Sequence, residues 1–207
     1  TWLCGIEECD SNTSACRHCQ NPFCGDGFVN PGEDCEPGPA STTCVPSTGK
    51  YMSYCGDGRV MAAMQHSGFD VNGIETDTVA AELAYGRTGV NPFIGDLHSF
   101  ETSEHFDVIS FIHCLEHVGN PREDLERAYT LLKPGGILYI AVPNAGSLES
   151  SLFGSCWYAL DLPRHFWGFN PRSLQRIIEE SGFHLTGTHY QPLVNSLQSL
   201  RYAMRAL

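Results

Sequence analysis

The sequence predicts an α/β fold with a doubly wound, mainly parallel sheet, preceded by a small irregular segment. From about residue 50 onward, short apolar stretches of strand length alternate with stretches of helical periodicity. Such alternation is typical of a parallel sheet covered by helices. Seven of the ten cysteines fall within the first 44 residues, which are rich in turn-forming residues. The change in composition predicts a cysteine-rich segment over residues 1–48 and an α/β domain over residues 49–207.

Composition limits the classes of function. The chain has 207 residues, a formal net charge of −12 and a pI near 5.0. This acidic balance argues against a general nucleic-acid binder, because no basic patch is evident that would neutralise phosphates. No apolar run approaches the roughly 18 residues that a membrane-spanning helix requires, so no transmembrane segment is expected.

The first strand–helix–strand unit is the most informative part of the chain. Lys50 to Tyr54 occupies the place of a first strand, and a glycine turn follows it. Gly56 and Gly58 in that turn would let the backbone approach a ligand where a Cβ atom would collide. A helix is predicted from Arg59 to His66. It is followed by a short strand that ends on Glu75, 17 positions after Gly58. A carboxylate at this spacing is suited to accept hydrogen bonds from ribose hydroxyls.

The next elements continue the alternation. Asp77 is a candidate cap for a helix from Thr78 to about Tyr85, and a strand is predicted over residues 90–94. The nearly continuous apolar run over residues 106–112 is expected to be a central strand buried on both faces. A helix from Pro121 to Leu132, a break at 133–136 and a strand over 137–142 follow. The last predicted elements are a helix over 172–180 and a strand over 183–190.

Two interpretations of residues 1–48 stay open. In the first, four thiolates bind a structural zinc ion, and the candidate ligands are Cys4, Cys9, Cys16 and Cys19. In the second, the cysteines form disulfides, since the stretch from Cys24 to Cys35 resembles the cysteine-rich repeat of some secreted bacterial surface proteins. The zinc interpretation is preferred slightly. Either cross-link would compensate for a segment that buries little apolar surface.

Three motifs resemble class I S-adenosylmethionine-dependent methyltransferases. They are the Cys-Gly-Asp-Gly turn with its matched Glu75, the Leu115-Glu116-His117 stretch after the central strand, and the Lys-Pro-Gly-Gly turn before the next strand. The segment Pro163 to Phe166 resembles a branch related to ubiquinone O-methyltransferases and to methyltransferases of polysaccharide gene clusters. The resemblance covers roughly residues 55–202 and implies a Rossmann-like fold. It also implies methyl transfer from S-adenosylmethionine to a small-molecule, sugar or lipid-linked acceptor.

The resemblance also suggests roles for individual residues. His117 and His165 are the candidates for a catalytic base or a substrate contact. The candidate cofactor-binding residues are Cys55, Gly56, Gly58, Glu75, Asp96, Leu97 and His113. A structural alternative accompanies each role: Asp96 is equally suited to cap a turn, and Glu116 with His117 to orient the cofactor loop.

The chain departs from the family pattern at two positions. Met52 stands where the family has an acidic residue, and Tyr54 where it has its first glycine. The departures suggest the alternative of a catalytically degenerate binding or scaffold domain.

A cytoplasmic location is expected because the methyl donor is a cytoplasmic metabolite. The last strand of the fold is expected to be missing from the chain.

Overall fold

The computed structural model describes residues 49–190 and Ser199. The cysteine-rich segment lies outside the described residues. The predicted zinc ligands Cys4, Cys9, Cys16 and Cys19 therefore stay a prediction. None of the described helices has the length and apolar character needed to cross a membrane.

Five parallel strands form one sheet, as the sequence predicts. They are β1 (Lys50–Tyr54), β2 (Asp70–Glu75), β3 (Phe93–Ile94), β4 (Phe106–Ile112) and β5 (Leu132–Ala141). Their order across the sheet is β3-β2-β1-β4-β5. The chain moves outward in one direction from β1 to β3 and then returns to the other side of β1 for β4. Ligands of such doubly wound sheets bind outside the carboxyl ends of the strands, at this change of direction.

Three of the described helices lie between strands, and two follow the last strand. They are α1 (Arg59–His66), α2 (Thr78–Thr88), α3 (Pro121–Leu131), α4 (Leu148–Phe153) and α5 (Pro171–Glu180), and two short 3₁₀ turns follow α4. Asp77 caps α2 as predicted, and Asn170 caps α5, which the sequence analysis did not predict. The Asp77 carboxylate accepts the N–H groups of Val79 and Ala80, which would otherwise lack partners at the start of α2. Asn170 forms a capping box with Ser173 at the start of α5.

The described residues fall into two compact units. Among the described residues, the first comprises 49–110 and 131–139, and the second comprises 111–130, 140–190 and Ser199. One buried apolar cluster of the first unit is built from β1, α1, β2, α2 and β4, with Tyr51, Met61, Phe69, Val71, Ala84 and Val108 as its members. This cluster supports the strands that carry the glycine turn.

Several element boundaries differ from the predicted ones. Helix α2 continues through Gly86 to Thr88, because Gly86 is exposed and Gly89, at φ +70°, supplies the left-handed residue that ends the helix. Strand β3 is limited to two residues. Strand β5 begins at Leu132, although the Lys-Pro-Gly-Gly sequence predicted a break before Ile137.

The predicted strand over residues 183–190 is wrong. This stretch has no regular secondary structure, and residues 184–190 are all exposed. Leu185 is 40% exposed and Tyr190 is 59% exposed. Alternation of apolar and polar residues specifies a strand only where one face is buried and a neighbouring strand supplies hydrogen bonds. Neither condition is met by these residues.

Candidate active site

The two glycines of the turn between β1 and α1 have different surroundings. Gly56 has φ +128°, and a Cβ atom at this position would meet nothing within 4 Å. Gly58 has φ +82°, and a Cβ atom there would lie 2.4 Å from the Cα of Ala84 in α2. Gly56 borders open space, whereas Gly58 is required by helix packing.

Glu75, at the end of β2, is joined to the glycine turn. Its carboxylate accepts the backbone N–H of Gly56, and also that of Asp77 at 2.9 Å. The residue is only 6% exposed. A carboxylate offers about four lone-pair positions, so two remain after these contacts. The role of Glu75 in accepting ribose hydroxyls stays a prediction.

Arg87 in α2 holds the glycine turn from the other side, a role that the sequence analysis did not predict. Its guanidinium donates to the backbone carbonyl of Asp57 at 3.1 Å and lies 3.4 Å from the Asp57 carboxylate. Arg59 contacts the same carboxylate at 3.0 Å. The only available signal was a basic residue two positions beyond the predicted end of the second helix.

The remaining candidates in the first unit have structural partners. Asp96 accepts the N–H and the hydroxyl of Ser99, both at 2.7 Å, and these bonds lower the pKa of the Asp96 carboxyl. Leu97 is fully buried. The backbone N–H of Cys55 donates to Ile74, and its side chain is disulfide-bonded, so neither group is available to a ligand. Met52 is fully buried and Tyr54 only 3% exposed.

The second unit contains a cluster of Glu116, His117 and His165. One ligand-type atom from each side chain lies within 4.8 Å of the corresponding atoms of the other two. The two imidazole rings meet edge to face, with their centroids 4.6 Å apart. The sequence separates these residues by almost 50 positions. They come together because the backbone carbonyl of Glu116 accepts the N–H groups of Phe166 and Trp167.

Both imidazoles of the cluster are oriented by backbone carbonyls. Nδ1 of His117 lies 3.0 Å from the carbonyl oxygen of Arg164, and Nδ1 of His165 lies 2.9 Å from that of Ala159. A carbonyl oxygen only accepts hydrogen bonds, so each Nδ1 carries the proton and donates it. In each neutral ring, Nε2 then keeps its lone pair. This nitrogen is the one available to take a proton or bind a cation.

The carboxylate of Glu116 is buried without the usual compensation. Glu116 is 1% exposed, and neither carboxylate oxygen has a hydrogen-bond partner among the described residues. His113 lies beside it, with Nδ1 3.4 Å from Oε1, and the carboxylate raises the pKa of the His113 imidazole. His113 has φ +52°, an uncommon conformation for a residue with a side chain. Its side chain lies beside the Glu116 carboxylate and is largely exposed, and its predicted role in cofactor binding stays a prediction.

Comparison with known proteins agrees with this fold and these motifs. A family model described as a methyltransferase domain matches residues 47–187. The ubiquinone biosynthesis O-methyltransferase of Aeromonas salmonicida is 27% identical over 160 residues, which are 70% of this chain and 67% of the relative. The protein of the same name from Coxiella burnetii is 25% identical over 162 residues, which are 71% and 69% of the two chains. The chain therefore spans about two thirds of the length of these relatives.

Solved structures show the same fold. A putative methyltransferase from Bacillus halodurans aligns with a TM-score of 0.62 and 19% identity over 76% of this chain and 73% of its own. An S-adenosylmethionine-dependent methyltransferase from Thermotoga maritima aligns with a TM-score of 0.56 and 20% identity over 66% and 65%. The fold and the glycine turn define the class I S-adenosylmethionine-dependent methyltransferases. This chain belongs to the methyltransferase-domain family and is an enzyme of that class, so the resemblance seen in its motifs is confirmed.

Proposed function

We propose that this enzyme transfers a methyl group from S-adenosylmethionine to a hydroxyl group of a small-molecule, sugar or lipid-linked acceptor. A hydroxyl oxygen is a poor nucleophile until its proton is removed, so such an enzyme needs a base. The observation that carries the proposal is the pair of histidines, His117 and His165. The carbonyls of Arg164 and Ala159 hold both in the tautomer whose Nε2 can accept a proton.

The cofactor is assigned to the glycine turn. The open space beside Gly56 and the unused lone pairs of Glu75 support this assignment. When bound, S-adenosylmethionine supplies an already activated methyl group, so the protein has to bind, orient and exclude water. Glu75 would hold the ribose, and Arg87 would keep the turn in place through Asp57.

The two histidines are assigned to the acceptor. His117 is exposed, so its Nε2 is accessible to a hydroxyl, and His165 at its edge is half-buried. The negative charge of Glu116 beside the two rings would stabilise an imidazolium after proton transfer. The names of the O-methyltransferase relatives favour an oxygen acceptor over a nitrogen or carbon acceptor.

The first test separates cofactor binding from catalysis. Titration calorimetry with S-adenosylhomocysteine is expected to show binding that Glu75→Ala weakens at least about tenfold. The substitution would remove the two proposed hydrogen bonds from the ribose hydroxyls to the Glu75 carboxylate. The far-UV spectrum and the melting temperature of each variant control for folding. Absence of binding by the folded wild-type chain would favour the degenerate scaffold instead.

Transfer is then measured with S-adenosylmethionine carrying a tritiated methyl group. Catechol, phenol and octyl glucoside serve as probe acceptors of three chemical classes. His117→Gln and His165→Gln are expected to lower kcat with little change in S-adenosylhomocysteine affinity, since removal of a general base typically costs about 10²- to 10⁴-fold in rate. Full activity in both variants would exclude the two histidines as the base.

A further inference from the structure

We propose that Glu116, His117 and His165 bind a divalent transition-metal ion through one carboxylate oxygen and two imidazole nitrogens. The candidate ligand atoms lie within 4.8 Å of one another. Ligands about 2.0–2.2 Å from a shared tetrahedral ion are separated by about 3.4 Å, so a modest closing of the three side chains would suffice. The exposed side chain of His117 can make this adjustment.

The burial of the Glu116 carboxylate without a hydrogen-bond partner among the described residues is the strongest observation for a bound cation. A carboxylate that is 1% exposed, with neither oxygen hydrogen-bonded within the described part of the chain, is costly to bury. Buried charges in proteins are normally paired or coordinate metals. The contact with His113 at 3.4 Å compensates only in part, because the His113 side chain is 65% exposed and its charge is screened by water.

The two histidines are already arranged as ligands. Metal-binding histidines usually donate the second ring nitrogen to a carbonyl or carboxylate, which fixes the tautomer and the direction of the free lone pair. Both His117 and His165 make this contact with a backbone carbonyl, at 3.0 Å and 2.9 Å. Both carbonyls belong to the segment Ala159–Arg164. The same segment contains the ion pair between Asp161 and Arg164.

The ligand set also limits the metal. Two imidazoles and one carboxylate suit Zn²⁺, Fe²⁺ and Co²⁺, whereas Mg²⁺ and Ca²⁺ prefer oxygen ligands throughout. Three protein ligands leave at least one coordination position open, as in catalytic sites. Asp161 adds negative potential, since its carboxylate lies 3.9 Å from Nε2 of His165.

A bound cation would refine the proposed function, and this part of the inference rests on it. An acceptor hydroxyl at the open position would ionise at a lower pH, and its proton would pass to solvent. The two imidazoles would then act as ligands, and the cation would lower the pKa of the acceptor in place of a free base.

The test uses the full chain, stripped of metal with a chelator and titrated with Co²⁺. The spectrum of Co²⁺ separates this site from the cysteines, because thiolate ligands add intense charge-transfer bands that nitrogen and oxygen ligands lack. We expect one equivalent with nitrogen and oxygen ligands, and an affinity at least about tenfold lower in His165→Gln and Glu116→Gln. The matched control, His66→Gln on α1, should bind as the wild type does.

Stability gives a second readout that guards against misfolded variants. Without metal, Glu116→Gln should melt at or above the wild-type temperature, because it removes a buried charge. With Co²⁺, only wild type and His66→Gln should gain stability. The proposal is overturned if no Co²⁺ binds with nitrogen and oxygen ligands, or if both variants bind it as wild type does. S-adenosylhomocysteine titrations in chelator report on the methyltransferase function separately.

Discussion

Ala84 in α2 occupies the space in which a side chain at Gly58 would lie. A Cβ atom at Gly58 would be 2.4 Å from the Cα and 2.7 Å from the Cβ of Ala84. Helix α2 therefore packs directly on the backbone of the glycine turn. The turn is positioned by this helix as well as by the strand that precedes it, which explains why it is reached by Arg87 from the same helix.

Substitution of Gly58 should destabilise the fold strongly. Gly58→Ala forces a side chain into a left-handed conformation and against the α2 backbone, so we expect a loss of about 2–4 kcal/mol in the free energy of unfolding. Urea denaturation measures this loss. Gly86→Ala is the matched control, because that glycine lies within α2 with open space around it. It should be neutral or stabilising by up to about 1 kcal/mol. Equal effects of the two substitutions would contradict the packing described for Gly58.

Arg87 should affect cofactor affinity without touching the cofactor. Arg87→Ala removes the hydrogen bond to the Asp57 carbonyl and should weaken S-adenosylhomocysteine binding roughly threefold to tenfold. Arg59→Ala removes only an exposed ion pair with the Asp57 side chain and should change affinity little. Calorimetric titration of both variants with S-adenosylhomocysteine compares their affinities. A loss in Arg59→Ala as large as in Arg87→Ala would mean that the carbonyl contact is unimportant.

The buried hydroxyls of Tyr51 and Ser110 should be energetically coupled. They are hydrogen-bonded to each other between β1 and β4. Tyr51→Phe or Ser110→Ala alone should cost about 1 kcal/mol, since each removes the hydrogen bond between the two buried hydroxyls. The double variant should cost less than the sum of the two. A double-mutant cycle in urea measures the coupling, with the exposed Tyr85→Phe as control. Additive single effects would argue against the bond.

Asp96 should make stability depend on pH in the acid range. The bonds from Ser99 lower the pKa of Asp96 in the folded chain, below the ordinary value near 3.9 that it has when unfolded. This contribution is fully present above the unfolded pKa and is lost as the pH falls through the folded pKa. The difference in unfolding free energy between wild type and Asp96→Asn should therefore be larger at pH 7 than at pH 3. An unchanged or reversed difference would refute the assigned role of Asp96 as the acceptor in this turn.

Much of the fold could be predicted because it depends on local patterns. The apolar run at 106–112 became β4, Pro121 begins α3 at the predicted residue, and Pro171 begins α5 one residue before the predicted start. Proline at the first helical position and a capping side chain act within a few residues. The strand expected at 183–190 failed because strand formation depends on a neighbour that a linear pattern does not reveal.

By itself, the sequence determined the alternation of strands and helices, the parallel sheet, the family and the pairing of the glycine turn with Glu75, because these depend on spacing along the chain. Only the tertiary structure decided that Gly58 serves packing and that Asp96 serves a turn. It alone brought Glu116 and His117 to His165, almost 50 residues away. Carbonyl contacts between distant segments set the tautomer of the two imidazoles, and no local pattern encodes such contacts.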